Sequence, residues 1–183
     1  SESDLATNSF GQGLSVTSLQ MLTAVNAIAN DGQMMRPRIV YQIVDGDNVI
    51  TSRPATIGNP ISAQTANLVT DMMVDAVEQG LDEAAQVSGY TVAGKTGTAQ
   101  IWGVTDYLPN DFAMSVVGFL PADDPQISIL VMLDRPQSGR FASQVVAPIF
   151  AQLTSRLVLL MQIPNDAVRL QLASEGVSLD GME

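Results

Sequence analysis

The sequence contains no cysteine and no histidine. Without cysteine there are no disulfides and no thiolate zinc sites, and without histidine the commonest metal ligand and the usual imidazole base are missing. Acid–base or nucleophilic chemistry must therefore come from lysine, hydroxyl or carboxylate side chains. Metal binding by carboxylates alone is an alternative, but we expect no metal site and interpret Asp123-Asp124, which Pro125 follows, as a solvated turn between strands.

Basic residues are scarce as well. The chain has 8 lysines and arginines against 19 acidic residues, which gives a net charge of -11 at pH 7. Nucleic acids and anionic membrane surfaces are bound by clustered lysine and arginine, so we expect neither as a partner. A content of 46% hydrophobic and 15% charged residues is that of an ordinary globular domain with a core.

Signals for secretion or membrane insertion are not apparent. Ser1–Asp4 has neither the basic start nor the apolar run of a signal peptide, and the missing initiator methionine suggests a processed or cut chain. The most apolar stretch, Val145–Ile163, is interrupted by Pro148, Gln152 and Arg156. We therefore predict a buried helix there and no membrane span in this chain.

Apolar spacing and turn residues predict the order helix, hairpin, helix, three strands, helix. The predicted elements are helices over Ser15–Asn30, Ser62–Glu78 and Arg140–Ile163, a hairpin over Arg38–Thr51, and strands over Tyr90–Ile101, Phe112–Leu120 and Ile127–Leu133. The links between the last three strands are too short for helical crossovers, so these strands are expected to be adjacent and antiparallel. The predicted fold class is α+β, an antiparallel sheet flanked by helices.

Two finer expectations concern the second helix and the C-terminus. In the second helix, Leu68, Met72 and Val77 are predicted to share the apolar side. Residues 1–163 are assigned to one folded unit, and residues 164–183 to a polar C-terminal appendage or a weak final helix. Pro164 marks the boundary because proline ends a helix.

The stretch Gly89–Thr96 matches the phosphate-binding pattern G-x-x-x-x-G-K-[ST], and Ile127–Asp134 resembles the strand that ends in a magnesium-binding aspartate. Such a loop needs an apolar strand before its first glycine and a helix that begins at Lys-Thr, whose N–H groups hold the phosphates. Here residues 81–88 are too polar, and Tyr90–Val92 favours a strand. A nucleotide-binding protein stays an alternative, which a helix beginning at Lys95 would support.

A different interpretation places Lys95-Thr96-Gly97-Thr98 on a strand. With that placement the sequence resembles the superfamily of penicillin-binding proteins and serine β-lactamases, whose K-T-G motif lies on a strand beside the active site. Ser9–Met21 resembles the F-G-x-G-x-x-V-T-P-L-Q segment of the class B transpeptidases, with Ser18 where proline is usual. Further matching segments follow in the same order: Ala29–Gly32, Arg36–Val40, Gly94–Gln100, Gly118–Pro121 and Ala147–Phe150.

The family's nucleophilic serine and its lysine base form an S-x-x-K motif, and an S-x-N motif relays the proton. Neither motif is present, because Lys95 is the sole lysine with Val92 three residues before it, and no serine is followed two positions on by asparagine. The resemblance places both motifs upstream of Phe10-Gly11. We expect a fragment, a cleaved half or a degenerate relative, with the upstream portion of the same domain as its partner and a transpeptidase-like fold that is incomplete in this chain.

The resemblance implies a role for each motif residue. The fixed charge of Lys95 would favour the deprotonated form of neighbouring groups and attract a substrate carboxylate. Thr96 and Thr98 would bind that carboxylate through their hydroxyls, and Gly97 would let a peptide backbone approach the strand edge. The backbone N–H of Thr98 would form half of an oxyanion hole. The alternative is a surface lysine with turn threonines at a strand end.

The implied function is that of a peptidoglycan D,D-transpeptidase, which cross-links stem peptides ending in D-Ala-D-Ala through a serine acyl-enzyme and binds penicillin and other β-lactam antibiotics. The resemblance implies no metal or organic cofactor and a location on the extracytoplasmic face of the bacterial cytoplasmic membrane. This chain alone is expected to be inactive and poorly stable. The alternatives are carboxypeptidase or β-lactamase activity, and a non-catalytic substrate-binding or scaffold remnant.

Overall fold

The computed structural model of the chain describes residues 2–9, 11, 13–80, 83–137 and 139–176. Phe10 and Gln12 of the family-like segment, and residues 177–183 of the predicted appendage, lie outside the described residues. The helices are α1 (Glu2–Asn8), α2 (Ser18–Ala29), α3 (Ala63–Glu78), α4 (Ala142–Leu160) and α5 (Asp166–Ser174). The strands are β1 (Met34–Met35), β2 (Gln42–Asp45), β3 (Asn48–Thr51), β4 (Thr56–Gly58), β5 (Ala93–Trp102), β6 (Tyr107–Leu120) and β7 (Ile127–Asp134).

The central sheet has three antiparallel strands in the order β5-β6-β7. The predicted strands and their adjacency are confirmed, but β5 begins at Ala93, so Tyr90–Val92, which were predicted as strand, precede it. β6 is longer than predicted, since it begins at Tyr107 and contains Pro109. Proline is tolerated there because the pairing of β5 with β6 shifts register between Gln100 and Trp102, so the missing N–H interrupts no regular ladder.

Helices cover both faces of the sheet, and the alternation of side chains along β6 separates two cores. On one face Met114 packs in the core that contains Phe150 of α4. On the other face Phe119 belongs to the core with Val25 of α2 and Met73 of α3. A fully buried side chain such as Phe150 contributes about 1.5–3 kcal/mol relative to its exposed form. The predicted cover by α2 and α4 is confirmed.

The third helix in the chain, α3, starts and ends close to its predicted bounds but buries a different face. Its buried residues are Ala66, Met73 and Val77. Leu68 and Met72 are 55% and 59% exposed, so their predicted place on the buried side is wrong. Each residue turns a helix by about 100°, which puts Leu68 and Met72 away from the stripe that the other three residues form.

Side-chain caps set most of the helix starts. Thr17 and Gln20 form a capping box at the start of α2. The side chains of Ser62 and Asn165 each accept a backbone N–H at the starts of α3 and α5. Phe141, at the start of α4, makes no side-chain cap hydrogen bond. The first turn of α4 therefore needs an acceptor from elsewhere in the fold.

The predicted hairpin is present as β2 and β3, which pair in register from Gln42 with Thr51 to Asp45 with Asn48. The first strand starts at Gln42, so the predicted strand residues before it lie outside the ladder. Every residue of both strands is exposed. The hairpin consequently contributes no side chain to either core.

The helix α4 would by length and composition alone pass as a membrane span, with a mean hydropathy of 1.3. One of its faces packs on the sheet, and the other exposes Ile149, Leu153 and Leu159. It ends at Leu160, before the predicted end at Ile163. In this fold α4 is the helix that covers one face of the sheet.

The described C-terminal residues form α5, whose Arg169 side chain is 8% exposed. Asp166 N donates a hydrogen bond to Gly89 O at 3.0 Å, which ties the start of α5 to the turn before β5. The helix therefore has contacts with the sheet domain. The division of the chain at residue 163 stays a prediction.

Candidate functional site

The KTGT motif, residues 95–98, lies in β5, which is an edge strand of the described sheet. Lys95 pairs with Val117 of β6, and Val117 packs with the core of α2 and α3. Because side chains alternate along a strand, Lys95 and Gly97 lie on that face, while Thr96 and Thr98 lie on the face of α4. The outer edge of β5 has no strand partner within the described ranges, so its backbone can pair with an extended peptide.

The ammonium group of Lys95 lies beside Thr96. Lys95 Nζ is 3.2 Å from the backbone oxygen of Thr96 and 3.4 Å from its Oγ1. The lysine side chain is exposed and so remains hydrated. The arrangement brings the ammonium of the only lysine together with a hydroxyl from the opposite face of the strand, a pair suited to bind a carboxylate.

The hydroxyl of Thr98 supplies the acceptor that the first turn of α4 needs. Its Oγ1 accepts a hydrogen bond from Ala142 N at 3.1 Å. A hydroxyl that accepts still carries its own hydrogen, which it can donate to a ligand. The hydroxyl of Thr98 therefore joins the KTGT motif to the start of α4, a link that the local sequence does not indicate.

Gly97 lies directly opposite Ser115 of β6. A Cβ atom added at Gly97 would stand 2.8 Å from Ser115 Oγ, which is closer than such atoms approach. The absence of a side chain at Gly97 thus leaves room for Ser115 across the strand pair. Room for Ser115 is a second reason for glycine at this position. The reason predicted from the sequence was the close approach of a peptide backbone.

A cavity of about 400 Å³ lies between the first half of β6 and the loop before α4. Its lining includes Phe112, Met114, Arg140, Phe141 and Gln144. Met114 is the register partner of the last motif residue, so the cavity adjoins the motif. Arg140 and Phe141 were not predicted as site residues, because no local pattern signals that their loop folds back to β5.

Two alternatives from the sequence can be compared with this geometry. Lys95 lies within a paired strand, and no helix begins there, so the structure lacks the helix terminus that a phosphate loop requires. The part of the chain that the structure describes contains no cluster of three or more acidic side chains suited to a metal ion. The motif is therefore a strand edge that presents an ammonium, two hydroxyls and backbone groups.

Comparison with known proteins identifies the class of domain that this strand and its helices define. The sequence profile of the penicillin-binding protein transpeptidase domain matches residues 1–155. The chain belongs to this family.

The relatives are class B penicillin-binding proteins. The chain is 37% identical to stage V sporulation protein D of Bacillus subtilis over 81% of its own length and 24% of that protein. It is 37% identical to penicillin-binding protein PbpB of Mycobacterium tuberculosis, over 90% of its length and 26% of that protein. The chain thus spans about a quarter of the length of these curated relatives.

A solved structure of penicillin-binding protein 3 from Mycobacterium tuberculosis, in complex with ampicillin, superposes with a TM-score of 0.80 and 36% identity. The superposition covers 90% of this chain and 39% of the solved chain. Penicillin-binding protein 2X of Streptococcus thermophilus gives a TM-score of 0.78 at 30% identity, over 86% of this chain and 25% of that chain. The α+β, transpeptidase-like fold expected from the sequence is confirmed.

Proposed function

We propose that this chain supplies the substrate-binding strand of a serine D,D-transpeptidase that cross-links peptidoglycan. The observation that carries the proposal is the open edge of β5, where Lys95 lies beside Thr96 and the hydroxyl of Thr98 meets the start of α4. The S-x-x-K and S-x-N motifs come in this proposal from the upstream portion of the same domain. The domain lies on the extracytoplasmic face of the cytoplasmic membrane.

The proposed substrate is a stem peptide that ends in D-Ala-D-Ala. Its extended backbone adds to the open edge of β5, as peptides do at other exposed strand edges. Its terminal carboxylate binds the ammonium of Lys95 and the hydroxyls of Thr96 and Thr98, since charge-assisted hydrogen bonds are the strong ones. Gly97 has no side chain, which lets the peptide backbone approach β5 closely.

In the first chemical step the upstream serine oxygen bonds to the carbonyl carbon of the penultimate D-Ala. The bond to the terminal D-Ala breaks, and the serine proton passes to the leaving amine. An amine of a neighbouring stem peptide then bonds to the ester carbonyl carbon, the bond to the serine oxygen breaks, and the amine proton returns to that oxygen as the cross-link forms. In both steps the backbone N–H of Thr98 serves as one half of the oxyanion hole, with the N–H of the serine as the other.

The same site is proposed to bind β-lactam antibiotics. The similar protein from Mycobacterium tuberculosis was solved with ampicillin and with aztreonam. A β-lactam presents a strained carbonyl next to an anionic group, which are the two features that the serine and the ammonium of Lys95 would recognise. The product is a serine ester that the chain's open strand edge holds in place.

The test is acylation by a fluorescent penicillin in the polypeptide that contains this chain and its upstream portion. Lys95→Ala should slow acylation about a hundredfold or more, the scale seen when one preorganised electrostatic group is removed. Arg53→Ala is the matched control, because Arg53 is an exposed cation outside the KTGT motif. It should leave the rate unchanged.

Two outcomes would contradict the proposal. Acylation of Lys95→Ala at the wild-type rate would show that the site is assigned to the wrong residues. A complete polypeptide that binds stem peptides but never forms a covalent penicillin adduct would support the scaffold alternative instead.

A further inference from the structure

The residues just before β5 are held by the residues that follow α4. Asp166 N donates to Gly89 O at 3.0 Å, and Tyr90 Oη donates to Ile163 O at 2.6 Å. One carboxylate oxygen of Asp166 accepts both the backbone N–H of Thr91, at 2.6 Å, and its hydroxyl, at 2.8 Å. Three consecutive residues are therefore tied to the start of α5 and the connection before it.

The Asp166 carboxylate also belongs to a cluster of ion pairs around Arg169. The Arg169 side chain is 8% exposed, and its terminal nitrogens contact Asp123, Asp124 at 3.5 Å and Asp166 at 3.4 Å. Arg169 is the buried member, whereas the side chains of Asp123 and Asp124 are 65% and 56% exposed, so the three carboxylates are linked through the arginine. We call the set of Asp123, Asp124, Asp166 and Arg169 the Arg169 clamp.

The clamp holds Thr91 from two sides. Asp166 binds its N–H and hydroxyl, and Ala122 N donates to its carbonyl oxygen at 2.9 Å. Ala122 directly precedes Asp123 in the connection from β6 to β7, so the arginine also steadies this second contact. Every polar group of Thr91 is thus hydrogen bonded to a residue in the clamp or next to it.

Thr91 stands four residues before Lys95. Between them Val92 and Ala93 are 2% and 0% exposed, so core packing leaves the connecting backbone little room to absorb a displacement. A shift at Thr91 is therefore passed along the extended strand to the motif. Displacements of about 1 Å in a catalytic constellation cost on the order of a hundredfold in rate.

We propose that the Arg169 clamp is a positioning element, which sets where the KTGT motif stands at the reactive edge of β5. The inference rests on the proposed function of that motif. The family match ends at residue 155, so α5 with Asp166 and Arg169 lies beyond the matched residues. Placement of the motif then depends on a part of the chain that the family profile does not include.

The experiment measures the acylation rate constant at saturating fluorescent penicillin, in the polypeptide that contains this chain and its upstream portion. Asp166→Ala removes both hydrogen bonds to Thr91 and should lower this rate constant about 10- to 100-fold, with a smaller change in non-covalent affinity. Asp166→Asn keeps an acceptor for Thr91 and should lose less. Gln171→Ala, whose side chain bonds to Glu175 on the exposed part of α5, is the matched control.

The acylation rate constant and the final amount of labelled protein distinguish a displaced strand from partial unfolding. A displaced strand lowers the rate constant of all molecules, whereas partial unfolding lowers the labelled amount and leaves the rate constant of the folded molecules unchanged. The second result would overturn the inference. If Asp166→Ala does not fold, two other variants test the inference. Thr91→Val keeps Asp166 beside the buried guanidinium, and the double variant Asp166→Ala with Arg169→Met removes the guanidinium together with its partner.

Failure of the proposed function gives a distinct pattern. Wild-type acylation by Lys95→Ala would show that the KTGT assignment is wrong, and the clamp inference would fall with it. A different pattern would overturn the clamp inference alone. In that pattern Lys95→Ala acylates slowly, but Asp166→Ala and Thr91→Val keep wild-type rate constants despite faster amide exchange at Thr91.

Discussion

The hydrogen bond from Ala142 to Thr98 allows two roles of Thr98 to be separated by one substitution. Thr98→Val keeps the shape of the side chain and the backbone N–H, but it removes the acceptor that Ala142 N reaches at 3.1 Å. Ala142 is 1% exposed, so water does not readily replace the lost partner. Phe141 provides no side-chain cap that would compensate. We therefore expect a clear loss of stability with a small loss of activity.

The size of both effects follows from this contact. Loss of a helix N-cap costs about 1 kcal/mol, and a buried N–H left without a partner costs about 1–3 kcal/mol. Because both figures describe the same bond, we expect about 1–2 kcal/mol in total, or roughly 2–8 °C in Tm for a domain of this size class. Acylation should fall by less than about tenfold, because the proposed oxyanion contact uses the backbone.

Calorimetry and fluorescent-penicillin labelling of the polypeptide with its upstream portion measure these two quantities. Thr98→Ser is the control, since it keeps the hydroxyl and should restore most of the stability. A wild-type Tm in Thr98→Val would show that the bond to Ala142 N contributes nothing. A loss of acylation as large as that of Lys95→Ala would show that the hydroxyl of Thr98, and not its backbone N–H alone, carries its role in the reaction.

Two further predictions concern pH and the isolated chain. Burial raises the pKa of the Tyr90 phenol above its ordinary value of 10.0, Asp166 adds to the rise and Arg169 opposes it. The folded state therefore holds this proton more tightly than the unfolded state does. The contribution of the Tyr90 proton to the free energy of unfolding is complete below about pH 10 and is lost as pH rises through the folded pKa. Tyr90→Phe should flatten this alkaline decline in unfolding titrations, and an identical decline in both proteins would contradict the assignment. The isolated chain should form no adduct with labelled penicillin, because it has no S-x-x-K motif, and it should aggregate through exposed apolar residues such as Tyr41 and Leu159. A monomeric, cooperative melt or stable labelling of the isolated chain would refute this.

Local sequence signals predicted the sheet and most helix ends. The strands of the sheet were predictable because β-favouring runs and short links permit only antiparallel neighbours. The capping residues Thr17 and Ser62 act within their own helices, so their roles are encoded in a few adjacent positions. The motif residues 95–98 were found for the same reason, since their pattern is contiguous.

Features that depend on distant contacts were missed. Arg169 would ordinarily be assigned to the surface, because arginine is rarely buried without partners. Its partner Asp123 lies 46 residues away, and Thr91 lies 75 residues from Asp166. The buried face of α3 was also misassigned, because large Leu68 and Met72 outweigh small Ala66 in a pattern that ranks residues by hydrophobicity.

Strand β5 combines a contiguous sequence motif with contacts from distant residues. Hydrogen bonds to other elements hold it at both ends of the KTGT motif. Toward its C-terminal end the hydroxyl of Thr98 is bonded to the start of α4. Ahead of its N-terminal end Thr91 is bonded to Asp166 of α5. An edge strand has a neighbour on one side only, so bonds at both ends compensate for the missing lateral support. In the proposed function, a peptide then pairs with an edge whose position does not depend on the peptide itself. This is the preorganisation that catalysis by fixed charges and backbone N–H groups requires.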